Sequence, residues 1–169
     1  MDDPHRVGGL GSRYVDAEGT LTAPLALIDK GRFNSFAYHI ESARKENRES
    51  TGHASRGISG GVHTSTHTLT LDTGANTLEQ LTAIPERCLL VTELEGASGC
   101  NPLSGDISIG VQGFLVENGV RKHPVDSVTI AGNFYDLLKA IQARGDRYQP
   151  HLSQLYVPAL LVNGLTVAS

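Results

Sequence analysis

The stretch that decides the fold runs from Gly99 to Asn133 and reads GCNPLSGDISIGVQGFLVENGVRKHPVDSVTIAGN. Between its strands, Ile107 to Val116 and Val120 to Val125, the pair Asn118-Gly119 suits a type I′ hairpin turn because both residues tolerate positive φ. Apolar residues on both faces of the first strand predict that this strand is central in its sheet. None of the stretch has the spacing of a catalytic centre.

The composition is that of an ordinary globular protein, with 169 residues, 39% hydrophobic and 19% charged. This length predicts a single domain spanning residues 1–169. The net charge of −4, without a basic stripe, argues against nucleic-acid binding. The chain has no apolar run of about 18 residues and no signal-like N-terminus, so we expect no membrane association. The two cysteines form no disulfide or metal pattern, which indicates a reduced, cytoplasmic setting.

Turn signals and periodicity place further elements along the chain. Upstream of the hairpin, we expect strands at Leu21 to Ile28, Phe33 to Tyr38, Val62 to Leu71 and Arg87 to Glu93. A short helical turn is expected at Ser42 to Glu46. Asn76 with Glu79 resembles a capping box that starts a helix ending at Pro85.

After the hairpin, the pattern Phe134, Leu137, Leu138, Ile141 predicts a helix capped by Asn133 and stopped by Gly145. Val157 to Val162 and Leu165 to Ala168 predict a final strand pair around Asn163-Gly164. With about nine strands, two or three helices and no βαβ alternation, the fold class is α+β, mostly antiparallel sheet of a meander or half-barrel type.

His63 and His67 are the first candidates for a metal site. The intervening Thr64, Ser65 and Thr66 favour a strand, on which the two imidazoles share a face but lie about 13 Å apart at ~3.3 Å per residue. Zinc, with bonds of ~2 Å, cannot span that distance. The pair is therefore a weak metal candidate, and a polar sheet face or partner surface is favoured.

Cys100 is a second weak candidate, because it lies in a glycine-rich loop where a nucleophile or ligand could be exposed. Ser59 lacks the strand-turn-helix context of a serine nucleophile. The carboxylates Asp106, Glu93 and Glu95 are more typical of solvated positions. The residues themselves thus show no catalytic set.

Several blocks of the chain, in order, match one known family. They are Asp2-Asp3-Pro4, Gly8 to Ser12, Asp16 to Gly19, Ser42 to Lys45, Ser50-Thr51-Gly52, Asn101-Pro102, Ser104-Gly105-Asp106, Val116 to Gly119, Thr129 to Asn133, Val157 to Val162 and Asn163 to Ala168. On these blocks the chain resembles the C-terminal domain of the TldD/PmbA family, whose members are associated with zinc-dependent peptide cleavage.

The resemblance implies a heterodimer of a TldD-like and a PmbA-like (TldE-like) subunit. The TldD-like subunit carries a His-Glu-x-x-x-His helix and a downstream cysteine that bind zinc, which polarises water while the glutamate acts as general base. This chain contains no His-Glu-x-x-x-His and has no cysteine in Gly145 to His151, where that cysteine is expected. We therefore expect a non-catalytic PmbA/TldE-like subunit with no cofactor of its own, shaping a zinc-bearing partner's chamber around a peptide substrate in proteolysis or peptide maturation.

Two positions depart from the family pattern: His53 replaces the Asn that tends to follow Thr-Gly, and His67 replaces an Asn that often follows Thr. Candidate contacts with substrate or partner are His53, Arg56, His67, Asn101, Asp106 and Asn133. The family's N-terminal domain is absent from this sequence, which fits either a natural truncated subunit or a separate C-terminal piece.

Two other functions fit the same sequence. A β-rich binding or scaffold module that self-associates needs no peptidase. An autonomous hydrolase would use Cys100 or a histidine pair.

Overall fold

A computed structural model describes residues 1–96, 98–148 and 153–168. The described residues form two compact units, one of residues 1–72 and 153–157 and the other of residues 73–148 and 158–168. The prediction of one domain over 1–169 stays a prediction, since compactness of two units is a different property from independent folding. None of the described helices is long and apolar enough to span a membrane.

The described residues contain twelve strands and three six-residue helices. The first unit contains β1 (Ile28–Asp29), β2 (Arg32–Phe33), α1 (Ile40–Lys45), β3 (Ala54–Arg56), β4 (Val62–Thr64), β5 (Leu69–Thr70) and β10 (Leu155–Tyr156). The second contains α2 (Leu78–Ala83), β6 (Arg87–Glu95), β7 (Asp106–Glu117), β8 (Val120–Asn133), α3 (Phe134–Lys139), β9 (Ile141–Tyr148), β11 (Pro158–Val162) and β12 (Thr166–Ala168). All strand pairs are antiparallel except β5 with β10. This arrangement confirms the predicted α+β class.

The second unit is built around a four-stranded sheet in the order β12-β8-β7-β6. The predicted turn is present, because Asn118 and Gly119 both have positive φ, 50° and 76°. The predicted central position of β7 is also confirmed, with β6 on one side and β8 on the other. Val111 and Val116 of β7 are fully buried, so the apolar residues of this strand form the core of the unit.

The helix expected to run from Asn133 to Gly145 is wrong in its second half. Asn133 does cap it, accepting a hydrogen bond from the Tyr135 N–H at 3.0 Å, but α3 ends at Lys139. The next residues form β9, which pairs with β11 along its length, from Ile141 to Tyr148. Gly145 lies in this strand, where an added Cβ would come 3.2 Å from the Ala159 nitrogen, so it permits close packing of two strands instead of stopping a helix.

The expected pair of C-terminal strands is also wrong. Both strands exist, but β11 pairs with β9 and β12 pairs with the distal end of β8, as in Thr166 opposite Ala131. Asn163-Gly164 therefore connects two strands that belong to different sheets. The capping box of α2 is displaced by one residue from the prediction, since Thr77 with Gln80 forms it.

In the first unit, the helical turn predicted near Ser42 is present as α1, whereas the strands predicted at Leu21 to Ile28 and Phe33 to Tyr38 are largely absent. Leu21 and Leu25 form only isolated bridges, and strand pairing there is limited to β1 and β2, of which β2 ends at Phe33. The predicted strand from Val62 to Leu71 divides into β4 and β5. His67 lies between them in a bend, so the prediction that His63 and His67 share one strand face is wrong. The physical reason is that the His67 N–H bonds to the Asp2 carboxylate and not to a neighbouring strand.

Candidate functional site

Asp2 is the centre of a buried polar cluster in the first unit. Its side chain is fully buried, and its backbone bridges to Leu25 and Leu69. The carboxylate accepts hydrogen bonds from the His67 N–H at 3.0 Å, the Thr68 N–H at 2.6 Å and, through Oδ2, from His53 Nε2 at 2.9 Å. Burial would raise the pKa of Asp2, but these hydrogen bonds together hold it below its usual range, so Asp2 is a carboxylate at neutral pH.

His53 reaches this carboxylate because of the tight loop before it. Gly52 has φ of 72°, and a Cβ there would lie 2.5 Å from the Leu21 carbonyl oxygen, so only glycine fits. The His53 ring is fully buried, with Nδ1 2.7 Å from the Thr51 carbonyl oxygen and 2.9 Å from the Thr51 hydroxyl. The loop thus fixes the imidazole on both sides.

His67 completes the cluster from a different segment. Its ring is 3% exposed and lies 4.8 Å from the His53 ring, centroid to centroid. Its Nε2 is 2.8 Å from the Gly52 carbonyl oxygen. Burial lowers the pKa of His67, against the raising effects of the Gly52 carbonyl and the Asp2 charge, so the ring is neutral at neutral pH.

A second buried carboxylate, Asp16, holds the strand that follows His53. Its Oδ2 accepts the Ala54 N–H at 2.9 Å, and its Oδ1 accepts the N–H groups of Glu18 and Thr20, each at 2.9 Å. Burial opposes ionisation, but these three donors hold the pKa of Asp16 below its usual range. Asp16 therefore positions β3 next to the cluster.

Each unit has a cavity of its own. A polar cavity of about 80 Å³ in the first unit is lined by His67, Arg13, Ser55 and Gln154 among others. The second unit has a larger, mainly aliphatic cavity of about 650 Å³ whose lining includes Leu81, Leu90, Ile130 and Leu161. The polar groups that chemistry or ion binding would need lie beside the smaller one.

Three of the predicted contact residues, Asn101, Asp106 and Asn133, come together in the second unit. Asn133 Nδ2 donates to Asp106 Oδ1 at 3.1 Å and to the Ser104 carbonyl, while Asn101 Oδ1 accepts the Leu103 N–H at 2.9 Å. The hydrogen bonds of Ser104 and Asn133 lower the pKa of Asp106. These polar atoms connect the loop before β7 to the start of α3, and their contact with substrate or partner stays a prediction.

The other candidates are not members of the buried cluster. His63 is exposed on β4, opposite Ser55, and Arg56 is exposed on β3, where its Nη1 donates to the Gly60 carbonyl at 2.7 Å. Cys100 is half-buried in the loop before β7, and Cys88 lies in β6, where burial raises its thiol pKa. Of the segment from Gly145 to His151, residues 149–151 lie outside the described residues.

Two residues were not predicted from the sequence: Asp2 of the buried cluster, and Ile58 on the surface of the first unit. The sequence does not single out Asp2, because nothing local shows that this residue lies against residues 53 and 67. Ile58 is fully exposed at the tip of the β3–β4 hairpin. An isoleucine within Gly57-Ile58-Ser59-Gly60 was the available signal for it, since an apolar side chain in a polar glycine-rich turn has no intramolecular reason to be there.

The two histidines that depart from the family pattern, His53 and His67, are the two whose rings meet. Among the described residues, Asp2, His53 and His67 form the group that brings three metal-ligating side chains together, with one ligand atom from each lying within 4.8 Å of the others.

Comparison with known proteins identifies the family. The model of the PmbA/TldA metallopeptidase C-terminal domain matches residues 1–169. The chain is 36% identical to the metalloprotease PmbA of Escherichia coli O157:H7, over 86% of this chain and 30% of that protein. It is 33% identical to the PmbA homologue of Haemophilus influenzae, over 98% of this chain and 34% of that protein.

Solved structures give the same result. TldE from Thermococcus kodakarensis superposes with a TM-score of 0.88 at 30% identity, covering 99% of this chain and 39% of that chain. The chain thus spans about a third of the length of these relatives. The match over 1–169, the identities and the superposition agree, and the chain belongs to the PmbA/TldA metallopeptidase family, as its C-terminal domain.

Proposed function

We propose that this chain acts as the non-catalytic, PmbA/TldE-like part of a heterodimeric zinc metallopeptidase in the cytoplasm. In this proposal a TldD-like partner holds the catalytic zinc, and this chain shapes the chamber that admits a peptide for proteolysis or peptide maturation. The resemblance to a TldE over 99% of the chain supports the assignment to this branch.

The burial of the reactive side chains is the observation that carries the proposal. A peptidase must present its metal and general base to the scissile carbonyl, but Asp2 and His53 are fully buried and held by hydrogen bonds to backbone groups. A catalytic zinc does not fit this cluster, because no peptide can approach side chains that are closed off from the surface. The chemistry is therefore assigned to the partner.

The surface of the first unit supports association. Four large apolar side chains there are at least 77% exposed: Val7, Tyr14, Leu21 and Ile58. Exposed apolar groups of this size are typical of surfaces that another protein covers. We assign this surface to contact with the TldD-like subunit.

Co-purification and activity measurements test the proposal. A tagged form of the chain should retain a TldD-like protein bearing His-Glu-x-x-x-His, and the mixture should cleave unfolded peptides while the chain alone does not. Chelation should stop cleavage and reconstitution with zinc should restore it.

Two results would contradict the proposal. Peptide cleavage by the isolated chain, lost on substitution of Cys100 or His67, would make it an autonomous hydrolase. A stable homomer that retains no peptidase would instead support the self-associating scaffold.

A further inference from the structure

Asp2, His53 and His67 have the chemistry and the spacing of a metal site. Zinc bonded at about 2.0 Å in a tetrahedron holds its ligand atoms about 3.3 Å apart. The ligand atoms of the three residues already lie within 4.8 Å of one another, and His53 Nε2 is 2.9 Å from Asp2 Oδ2. Only small side-chain movements separate this arrangement from a coordination shell.

The hydrogen bonds around the two imidazoles orient them for such a role. His53 Nδ1 faces the Thr51 carbonyl at 2.7 Å, and His67 Nε2 faces the Gly52 carbonyl at 2.8 Å. A carbonyl only accepts hydrogen bonds, so these contacts suit a protonated ring nitrogen facing each carbonyl. Metal-binding histidines almost always donate one ring N–H to a partner of this kind and bind the ion through the other nitrogen.

The contact between His53 Nε2 and the Asp2 carboxylate already places two potential ligand atoms 2.9 Å apart. His67 brings the third, since one ligand atom from each of the three residues lies within 4.8 Å of the others. An ion between them would bind a carboxylate oxygen and two imidazole nitrogens, a ligand set that zinc accepts.

The surroundings provide rigidity and access. Gly11 and Gly52 let backbone segments pass so closely that an added Cβ would collide with the His67 carbonyl oxygen at Gly11 and with the Leu21 carbonyl oxygen at Gly52. These contacts fix the segments that carry the ligands before any ion binds. The polar cavity of about 80 Å³ lined by His67 is large enough to hold a water molecule beside the site.

We propose that Asp2, His53 and His67 form a structural Zn²⁺ site that ties the segment around residue 2 to the segments around residues 53 and 67. This goes beyond the sequence-based expectation of no cofactor in this chain. It is independent of the proposed function, because the ion is buried and takes no part in peptide cleavage. Binding replaces the hydrogen bond between His53 Nε2 and Asp2 with bonds from both groups to Zn²⁺.

Metal titration of the isolated chain tests the site without any partner. We expect the demetallated chain to bind one equivalent of Zn²⁺ with a dissociation constant below about 1 µM, in the range of structural zinc sites. Titration calorimetry should give a stoichiometry of one ion per chain. Co²⁺ should give the visible absorption of a low-coordinate nitrogen and oxygen site.

Substitutions identify the ligands. His53→Asn and His67→Asn should each weaken Zn²⁺ binding by more than about 100-fold, because loss of an outer-shell partner alone costs about 10- to 100-fold. The matched control is His63→Asn, a substitution of an exposed histidine on β4, which should bind Zn²⁺ like the unmodified chain. Circular dichroism of each variant verifies that it is folded.

Two results would overturn the site. They are the absence of one-equivalent binding by the unmodified chain and an equal loss of affinity in His63→Asn. A failed metal site leaves the peptidase proposal standing, since that proposal is tested on the complex.

Discussion

At the scale of single residues, the first unit is held together by buried carboxylates that serve backbone donors. Asp16 is the clearest case, since it is 6% exposed and accepts three backbone N–H groups. In Asp16→Asn the amide oxygen can still accept the N–H groups of Glu18 and Thr20. The amide nitrogen, which is a donor, then faces the Ala54 N–H and cannot accept it. We expect a loss of about 1–3 kcal/mol in unfolding free energy, the cost of one buried donor left unpaired, measured by urea denaturation.

The pH dependence of Asp16 provides a second readout. Because the folded-state pKa lies below the ordinary value of 3.8, the stabilisation is present above that value and is lost as pH falls through the folded pKa. Unfolding free energy should therefore fall more steeply below about pH 4 in the unmodified chain than in Asp16→Asn. Asp29→Asn, which alters an exposed carboxylate on β1, is the control, and an equal effect there would contradict the assignment.

At the scale of elements, α2 tests which residue caps a helix. The Thr77 hydroxyl accepts the Gln80 N–H, and Gln80 Oε1 accepts the Thr77 N–H at 2.8 Å. Thr77→Ala should destabilise the chain by about 1 kcal/mol, the usual cost of a lost N-cap. Asn76→Ala should cost less than about 0.5 kcal/mol, because Asn76 contributes its backbone carbonyl to Asp146. Urea midpoints in the reverse order would show that Asn76 is the cap.

At the scale of the whole molecule, Ile58 tests whether the exposed apolar surface binds a partner. Burying an isoleucine contributes about 1.5–3 kcal/mol, so Ile58→Ser should weaken binding to the TldD-like subunit by about 10- to 100-fold. The thermal midpoint of the isolated chain should not change, because the side chain is fully exposed. Ser59→Ala at the same hairpin tip is the control, and unchanged affinity in Ile58→Ser, measured by interferometry, would exclude this tip from the interface.

Local sequence by itself determined the features that depend on a few neighbouring residues. The Asn118-Gly119 turn, the Asn133 cap and the central apolar strand β7 all follow from backbone preferences and periodicity within a short window. The α+β class follows from the same signals taken together. Such features are predictable because contacts between neighbouring residues suffice to make one local conformation more stable than the others.

Tertiary structure alone decided the features that depend on distant partners. The helix predicted to continue past Ile141 to Gly145 gives way to the strand Ile141–Tyr148, because β11 offers a ladder of backbone hydrogen bonds. Asp2, His53 and His67 lie up to 65 residues apart in the chain, and no periodicity connects them. They meet because a buried carboxylate must find donors wherever the fold supplies them, and only the folded chain brings those donors within hydrogen-bond distance.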